Sequence, residues 1–196
     1  LAQFNDYYNK SVNLHPIMQK ELKIHDKIFE LYLSDKEIAS QISRLSQEVN
    51  ADFDSDNLVF LIVLNGAFMF ASDFLKNYEP ACSISFVKIS SYQGMSSSGK
   101  VNFESEISVD LSQKDVIILE DIVDTGLSIS KLSEKLIEYQ PKSINVCSLL
   151  FKPNSFQGKD KPKYIGFSIP DKFVVGYGMD YLQKGRNLKD LYQLKE

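Results

Sequence analysis

Three carboxylates crowd into one short stretch of the chain, at Glu120, Asp121 and Asp124, and Thr125, Gly126, Leu127 and Ser128 follow directly. The preceding Val116-Ile117-Ile118-Leu119 is an apolar run of strand length, while Ile129, Leu132, Leu136 and Tyr139 recur at helical spacing. The paired acids therefore end a buried strand, and the turn from Asp124 to Ser128 opens a helix. Ligands of open α/β sheets bind at such carboxyl ends. The turn offers backbone N–H groups, two hydroxyls and the positive end of a helix, which together suit a phosphate. Glu120 and Asp121 beside a phosphate would repel it, unless they accept hydrogen bonds from sugar hydroxyls or hold a divalent cation. A ligand with a phosphate at one end and a ribose diol beside it satisfies both halves. A helix cap at Asp124 alone would leave Glu120 and Asp121 without a task.

Other tempting patterns carry less. Gly94 and Gly99-Lys100 have most of a nucleotide P-loop, but Val101 stands where a magnesium-binding hydroxyl belongs, and a strand-like alternation follows instead of a helix. Asp52, Asp54 and Asp56 resemble the start of a calcium loop, yet Asn57 and Val63 replace its glycine and its final glutamate. They read as a solvated acidic turn. Cys82 and Cys147 are far apart without clustered histidines, which argues against zinc and for buried free thiols in a reducing compartment. His15 and His25 lie outside every motif and read as surface residues.

The elements that must position the acids are legible around them. Ser34 and Glu37 have capping-box spacing ahead of Ile38, Ile42, Leu45 and Val49, a helix over 34–49. Leu58 to Leu64 is unbroken and apolar, as in a strand covered on both faces. Helical period returns from Ala67 to Leu75. Alternation predicts strands at Cys82–Val87 and Val101–Ile107, joined by a long mobile loop, Ser90 to Lys100. Further strands are read at Ile144–Phe151, Tyr164–Ile169 and Phe173–Tyr177. Strand and helix alternate, so the fold class is α/β with a mostly parallel central sheet flanked by helices. The helix over 34–49 and the C-terminal part are expected to form a small hood.

Composition bounds the function. The 196 residues carry 22 Lys and Arg against 26 Asp and Glu, a net charge of −4. A protein binding nucleic acid through bulk electrostatics would show a basic excess, so no nucleic acid partner is expected. The most apolar segment, Leu58 to Ala71, is broken by Asn65-Gly66 and too short for a bilayer. The first ten residues show no secretory signal, so no membrane partner and a cytoplasmic location are expected.

The run Glu120-Asp121-Ile122-Val123-Asp124-Thr125-Gly126 resembles the phosphoribosyl-pyrophosphate signature of the type I phosphoribosyltransferases. Leu64-Asn65-Gly66-Ala67-Phe68, Ser90-Ser91-Tyr92, Lys152-Pro153, the stretch Ile169 to Tyr181, and Arg186-Asn187-Leu188 extend the similarity to the hypoxanthine–guanine phosphoribosyltransferases of bacterial style. The resemblance covers the chain from about residue 34 to its end. It implies the type I phosphoribosyltransferase fold, with a core over about 34–168, a flexible β-hairpin lid over about 88–107, and a hood from the N-terminal segment and about 169–196.

It also implies roles. Glu120 and Asp121 would bind the ribose hydroxyls and magnesium. The turn Asp124, Thr125, Gly126, Leu127 and Ser128 would cradle the 5′-phosphate, with Asp124 handling the proton on purine N7. Lys152 would donate to the 6-oxo group, Phe173 would stack on the base, and the Val174 backbone would read its edge. Asp180 would hold a second magnesium and Arg186 would contact pyrophosphate. Leu64, Asn65 and Gly66 would form the pyrophosphate loop, with a cis peptide between Leu64 and Asn65, and Ser91 and Tyr92 would belong to the lid. Asn65 stands where some relatives carry a basic residue, and Leu127 brings no side-chain donor to the turn.

The expected activity is purine salvage: 6-oxopurine and phosphoribosyl pyrophosphate give nucleoside monophosphate and pyrophosphate, in a homodimer or homotetramer that needs magnesium. The alternative on the same fold is a regulatory nucleotide sensor or RNA-binding module. Such a module would not need the purine-reading set Lys152, Phe173 and Asp180.

Overall fold

Every other residue of a covered strand faces a different helix layer, and the apolar run over residues 58–64 is read that way by the structure. The computed structural model describes residues 21–91, 101–103 and 107–195. The chain runs β1 (Glu21–Ile24), β2 (Lys27–Leu33), α1 (Asp35–Asp52), β3 (Leu58–Leu64), α2 (Phe68–Asn77), β4 (Ser83–Ser91), β5 (Val101–Phe103), β6 (Asp115–Val123), α3 (Leu127–Leu136), β7 (Ser143–Phe151), β8 (Tyr164–Ser168), β9 (Val174–Val175) and β10 (Leu191–Leu194). The main sheet has the order β5-β4-β3-β6-β7-β8, and all neighbours are parallel except β4 and β5.

Leu58, Phe60 and Ile62 of β3 join Ile38, Ile42, Leu45 and Val49 of α1 and Phe70 and Phe74 of α2 in one core. Val59, Leu61 and Val63 join Ile129, Leu132 and Leu136 of α3 in the other. Both faces are thus buried, which is why the strand needs no polar alternation. Helix α1 starts as its sequence demands: Ser34 and Glu37 cap one another reciprocally. Its apolar stripe belongs to the main core, so the expectation that this helix forms a hood is corrected.

A second sheet of four antiparallel strands, β1-β2-β10-β9, encloses a small core of Ile24, Phe29, Val175 and Tyr192. Its hairpin β1-β2 was not among the expected elements. Several other boundaries also move. The last predicted strand shrinks from Phe173–Tyr177 to Val174–Val175, because Gly176, Tyr177 and Gly178 take positive φ and leave the strand. The expected strand over Val101–Ile107 is a strand at Val101–Phe103, and Ile107 lies outside it. Ser90 and Ser91, expected in the loop, extend β4. Tyr92 and residues 93–100 of the expected lid lie outside the described residues. Cys147 is buried, but Cys82 is only half-buried. Among the described residues no helix is long and apolar enough to cross a membrane.

Asp52, Asp54 and Asp56 form no ion cradle. Asp52 accepts from the Tyr164 hydroxyl at 2.7 Å and pairs with Lys163 at 2.9 Å, while Asp54 caps a single 3₁₀ turn through the backbone N–H of Asp56.

Candidate active site

The register of β3 against β6, with Ile62 opposite Leu119, brings the two strands to a common carboxyl edge. There a cleft of about 360 Å³ opens, lined from β3 by Leu64, Asn65 and Gly66, from β6 by Glu120 and Asp121, and beyond β7 by Lys152. Asp124 and Ser128 enter from the turn before α3, and Phe173, Val174, Asp180 and Arg186 close the side towards the small sheet. A smaller cavity of about 100 Å³ continues along the turn and touches Asp124, Thr125, Gly126 and Ser128. Residues from Leu64 to Arg186, far apart in sequence, thus meet around one edge. Ser91 ends β4 of the same sheet and Tyr92 lies outside the described residues; Leu127 is exposed and borders neither cavity.

The two acids of β6 are uncomfortable where they stand. Oε2 of Glu120 is buried and has no hydrogen-bond partner. Burial, with Asp121 beside it, holds the Glu120 carboxyl well above the usual carboxylate range. Asp121 is 8% exposed, and burial pushes its carboxyl up to about 6, against the pull of backbone N–H groups and Arg186. A buried acid without a partner is costly, so the pair is built for something that supplies positive charge or hydroxyl donors. A divalent cation and a sugar diol both fit that description.

The loop after β3 approaches the acids closely. The Leu64–Asn65 peptide is cis. A Cβ placed on Gly66 would lie 1.9 Å from Asp121 Oδ2, so any larger residue would have to displace that carboxylate. In the turn, Gly126 has φ of 77°, and a Cβ there would meet the Phe156 ring at 2.3 Å. The backbone N–H of Leu127 is 3.4 Å from Thr125 Oγ1. Gly126, Ser128 and Ile129 at the start of α3 line the smaller cavity.

Lys152 follows β7 and is buried to 7% exposure, its Nζ donating to Asp124 Oδ2 at 2.7 Å and reaching Asp171 Oδ1 at 3.4 Å. Lys152 is thus a buried residue of the cleft rather than a solvated one. Phe173 is 45% exposed, so it is no core residue; its ring is held by Phe29 and Tyr181, with centroids at 6.2 and 5.8 Å. Arg186 donates from Nη1 to the Gly178 carbonyl at 2.8 Å, and its Nη2 pairs with Asp180 Oδ1. The other Asp180 oxygen accepts from the backbone N–H of Gln183 at 2.7 Å.

Met179, Ile122 and Ile89 also line the cleft and were not among the expected site residues. Ile122 had a signal: strand alternation puts it on the Glu120 face. Asp171 had none, since its contact with Lys152 joins two connections that follow different strands.

Comparison with known proteins agrees with this geometry. Residues 30–182 match the model of the phosphoribosyl transferase domain. The chain is 35% identical over 173 residues to a hypoxanthine-guanine phosphoribosyltransferase of Staphylococcus aureus, covering 88% of this chain and 97% of the relative. It is 37% identical over 162 residues to the hypoxanthine phosphoribosyltransferase of Escherichia coli, covering 81% and 91%. A crystal structure of a hypoxanthine phosphoribosyltransferase from Staphylococcus aureus superposes with a TM-score of 0.80 at 36% identity, over 85% of this chain and 91% of that one. With the strand-end acids, the glycine-dependent turn and the buried lysine in one cleft, the chain belongs to the phosphoribosyltransferase family, among its hypoxanthine-guanine phosphoribosyltransferases.

Proposed function

We propose that the chain transfers the 5-phosphoribosyl group from phosphoribosyl pyrophosphate to N9 of hypoxanthine, and of guanine as well. The observation that carries this reading is the ion pair between Lys152 and Asp124 at 2.7 Å, set between the phosphate turn and the Phe173 ring. A 6-oxopurine offers an acceptor at O6 and a proton at N7 on one edge. Lys152 donates to O6, and the Asp124 carboxylate takes the N7 proton as N9 attacks C1′. The C1′–N9 bond forms and the C1′–oxygen bond to pyrophosphate breaks. Adenine presents a donor at position 6 and would oppose the lysine.

The phosphate end rests on the turn from Asp124 to Ser128 and the α3 N-terminus. The ribose diol lies towards Glu120 and Asp121, and pyrophosphate towards Gly66 and Arg186. Phe173 presents a face to the base, and the Val174 backbone its edge. Glu120 and Asp121 are the residues that would hold one magnesium, and Asp180 across the cleft a second; the orphaned Glu120 oxygen supports the first. Magnesium takes one or two carboxylates with substrate phosphates and water for the rest, and when bound it offsets the charge that builds on the leaving pyrophosphate.

The test is a spectrophotometric assay with phosphoribosyl pyrophosphate, magnesium and, in turn, hypoxanthine, guanine, xanthine, adenine and uracil. Magnesium-dependent turnover of hypoxanthine or guanine is expected. Saturable binding of phosphoribosyl pyrophosphate without turnover of any base would point to the nucleotide-sensing module instead.

A further inference from the structure

Tyr177 and Asp73 take no part in the chemistry above, yet the Tyr177 phenol donates to Asp73 Oδ2 at 2.5 Å. The Tyr177 ring lies in the main core at 4% exposure, and Asp73 keeps its other oxygen on Lys76 Nζ at 2.6 Å. The bond joins two segments 104 residues apart. One is α2, which follows directly on the loop Asn65–Ala67. The other is the reverse turn Gly176–Met179, whose end residues exchange backbone hydrogen bonds at 3.0 Å.

That turn is not one its sequence favours unaided. Gly176, Tyr177 and Gly178 have φ of 98°, 46° and 99°. The two glycines adopt this region freely, but the β-carbon of tyrosine disfavours it, so something must hold Tyr177 there. The turn in turn carries two contacts to the site. A Cβ on Gly178 would lie 2.0 Å from the Gly66 carbonyl oxygen, so the turn seats directly on the loop that abuts Asp121. The Gly178 carbonyl also accepts from Arg186 Nη1 at 2.8 Å. One peptide unit, at Gly178, therefore sets the place of the Gly66 loop and of Arg186 together.

We propose that Tyr177 and Asp73 are positioning residues for the pyrophosphate half of the site: their hydrogen bond locks the 176–179 turn against α2, and the turn fixes Gly66 and Arg186. This rests on the reading that Gly66 and Arg186 receive pyrophosphate. In the base half, Lys152 follows β7 and pairs with Asp124 rather than with this turn, so the loss should fall first on the pyrophosphate half.

The experiment measures phosphoribosyl pyrophosphate binding by titration calorimetry with magnesium present, together with KM for each substrate and kcat, in wild type, Tyr177→Phe, Asp73→Leu and Asp73→Asn. Tyr177→Phe and Asp73→Leu are expected to weaken phosphoribosyl pyrophosphate on the order of tenfold, the loss of one hydrogen bond to a charged group. The KM for the base should change less than the affinity for phosphoribosyl pyrophosphate, because Lys152 holds Asp124 and Asp171 and, among the described residues, makes no hydrogen bond to the turn. Asp73→Asn keeps an acceptor oxygen for the phenol and should bind within about twofold of wild type despite losing the Lys76 pair. The double variant Tyr177→Phe with Asp73→Leu should be no worse than either single one. Wild-type affinity in both Tyr177→Phe and Asp73→Leu, or equal losses for base and phosphoribosyl pyrophosphate, overturns the proposal, and the Asp73 pair decides it if Tyr177→Phe does not fold. Wild-type protein that binds no phosphoribosyl pyrophosphate overturns the functional reading beneath it as well.

Discussion

Asp124 and Lys152 meet in one ion pair at the mouth of the phosphate turn. The lysine is buried and held on Asp124 Oδ2 at 2.7 Å, while the carboxylate is half-open to the cleft, where a bound base would meet it under the proposed function. Asp124→Asn keeps an oxygen for Lys152 and nearly the same shape but cannot accept the N7 proton. Its kcat is expected to fall roughly 10²- to 10⁴-fold, the usual weight of a positioned proton acceptor, while affinity for phosphoribosyl pyrophosphate changes by less than about threefold. Steady-state kinetics with calorimetric binding would check both numbers. Turnover equal to wild type would remove Asp124 from the proton transfer. The sequence placed Asp124 well, because its strand, turn and helix are contiguous. It did not show that the carboxylate meets Lys152, since that contact crosses from β6 to β7.

At the scale of elements, the small antiparallel sheet matters because it holds the aromatic wall. Phe29 of β2 is fully buried, and its ring lies 6.2 Å from that of Phe173. Lys27 lies over the Phe173 and Tyr181 rings at 5.9 and 5.1 Å, which ties the same strand to the same wall. Phe29→Ala is expected to lower stability by about 3–5 kcal/mol, the usual cost of emptying such a site. It should also raise the KM for the base more than that for phosphoribosyl pyrophosphate. Thermal unfolding and the two KM values measure this; a variant that loses stability with both KM values unchanged would mean that Phe173 is held without β2. This hairpin escaped the sequence reading because Lys27-Ile28-Phe29-Glu30-Leu31-Tyr32-Leu33 alternates only loosely. Its pairing partner β10 is also more than 150 residues further along the chain.

For the whole molecule, the paired acids make stability depend on pH in an unusual direction. Most shifted carboxylates here, such as Asp26, Asp35, Asp52 and Asp73, are lowered by hydrogen bonds and ion pairs. Their contribution is complete once pH exceeds the unfolded value of about 4. Glu120 and Asp121 are raised, so the folded state holds their protons more tightly than the unfolded chain does. Their favourable term is present below about pH 4 and is lost as pH rises through about 6, the value for Asp121. Without a divalent cation the thermal midpoint should therefore decline between about pH 5 and 7, where the lowered carboxylates no longer change. Asp121→Asn, which cannot ionise, should flatten that decline. If the pair holds magnesium as proposed, adding magnesium with phosphoribosyl pyrophosphate should raise the midpoint more at pH 7.5 than at pH 5, since protonation would compete with the cation. Equal slopes in wild type and Asp121→Asn would show that burial does not govern these acids.

The amino-acid sequence by itself determined the parts of this protein whose causes are local. The capping box at Ser34 and Glu37, the two-faced apolar strand at 58–64 and the strand–turn–helix that carries Glu120, Asp121 and Asp124 depend on neighbours a few residues away. Periodicity therefore exposes them, and the family motif rides on the last. Only the tertiary structure decided which residues meet across the sheet edge: Lys152 with Asp124, Gly66 with Asp121, Gly178 with Gly66, and Tyr177 with Asp73. Those contacts depend on strand order, register and left-handed turns, which are fixed by packing between segments far apart in the chain and leave no periodic trace in any one of them.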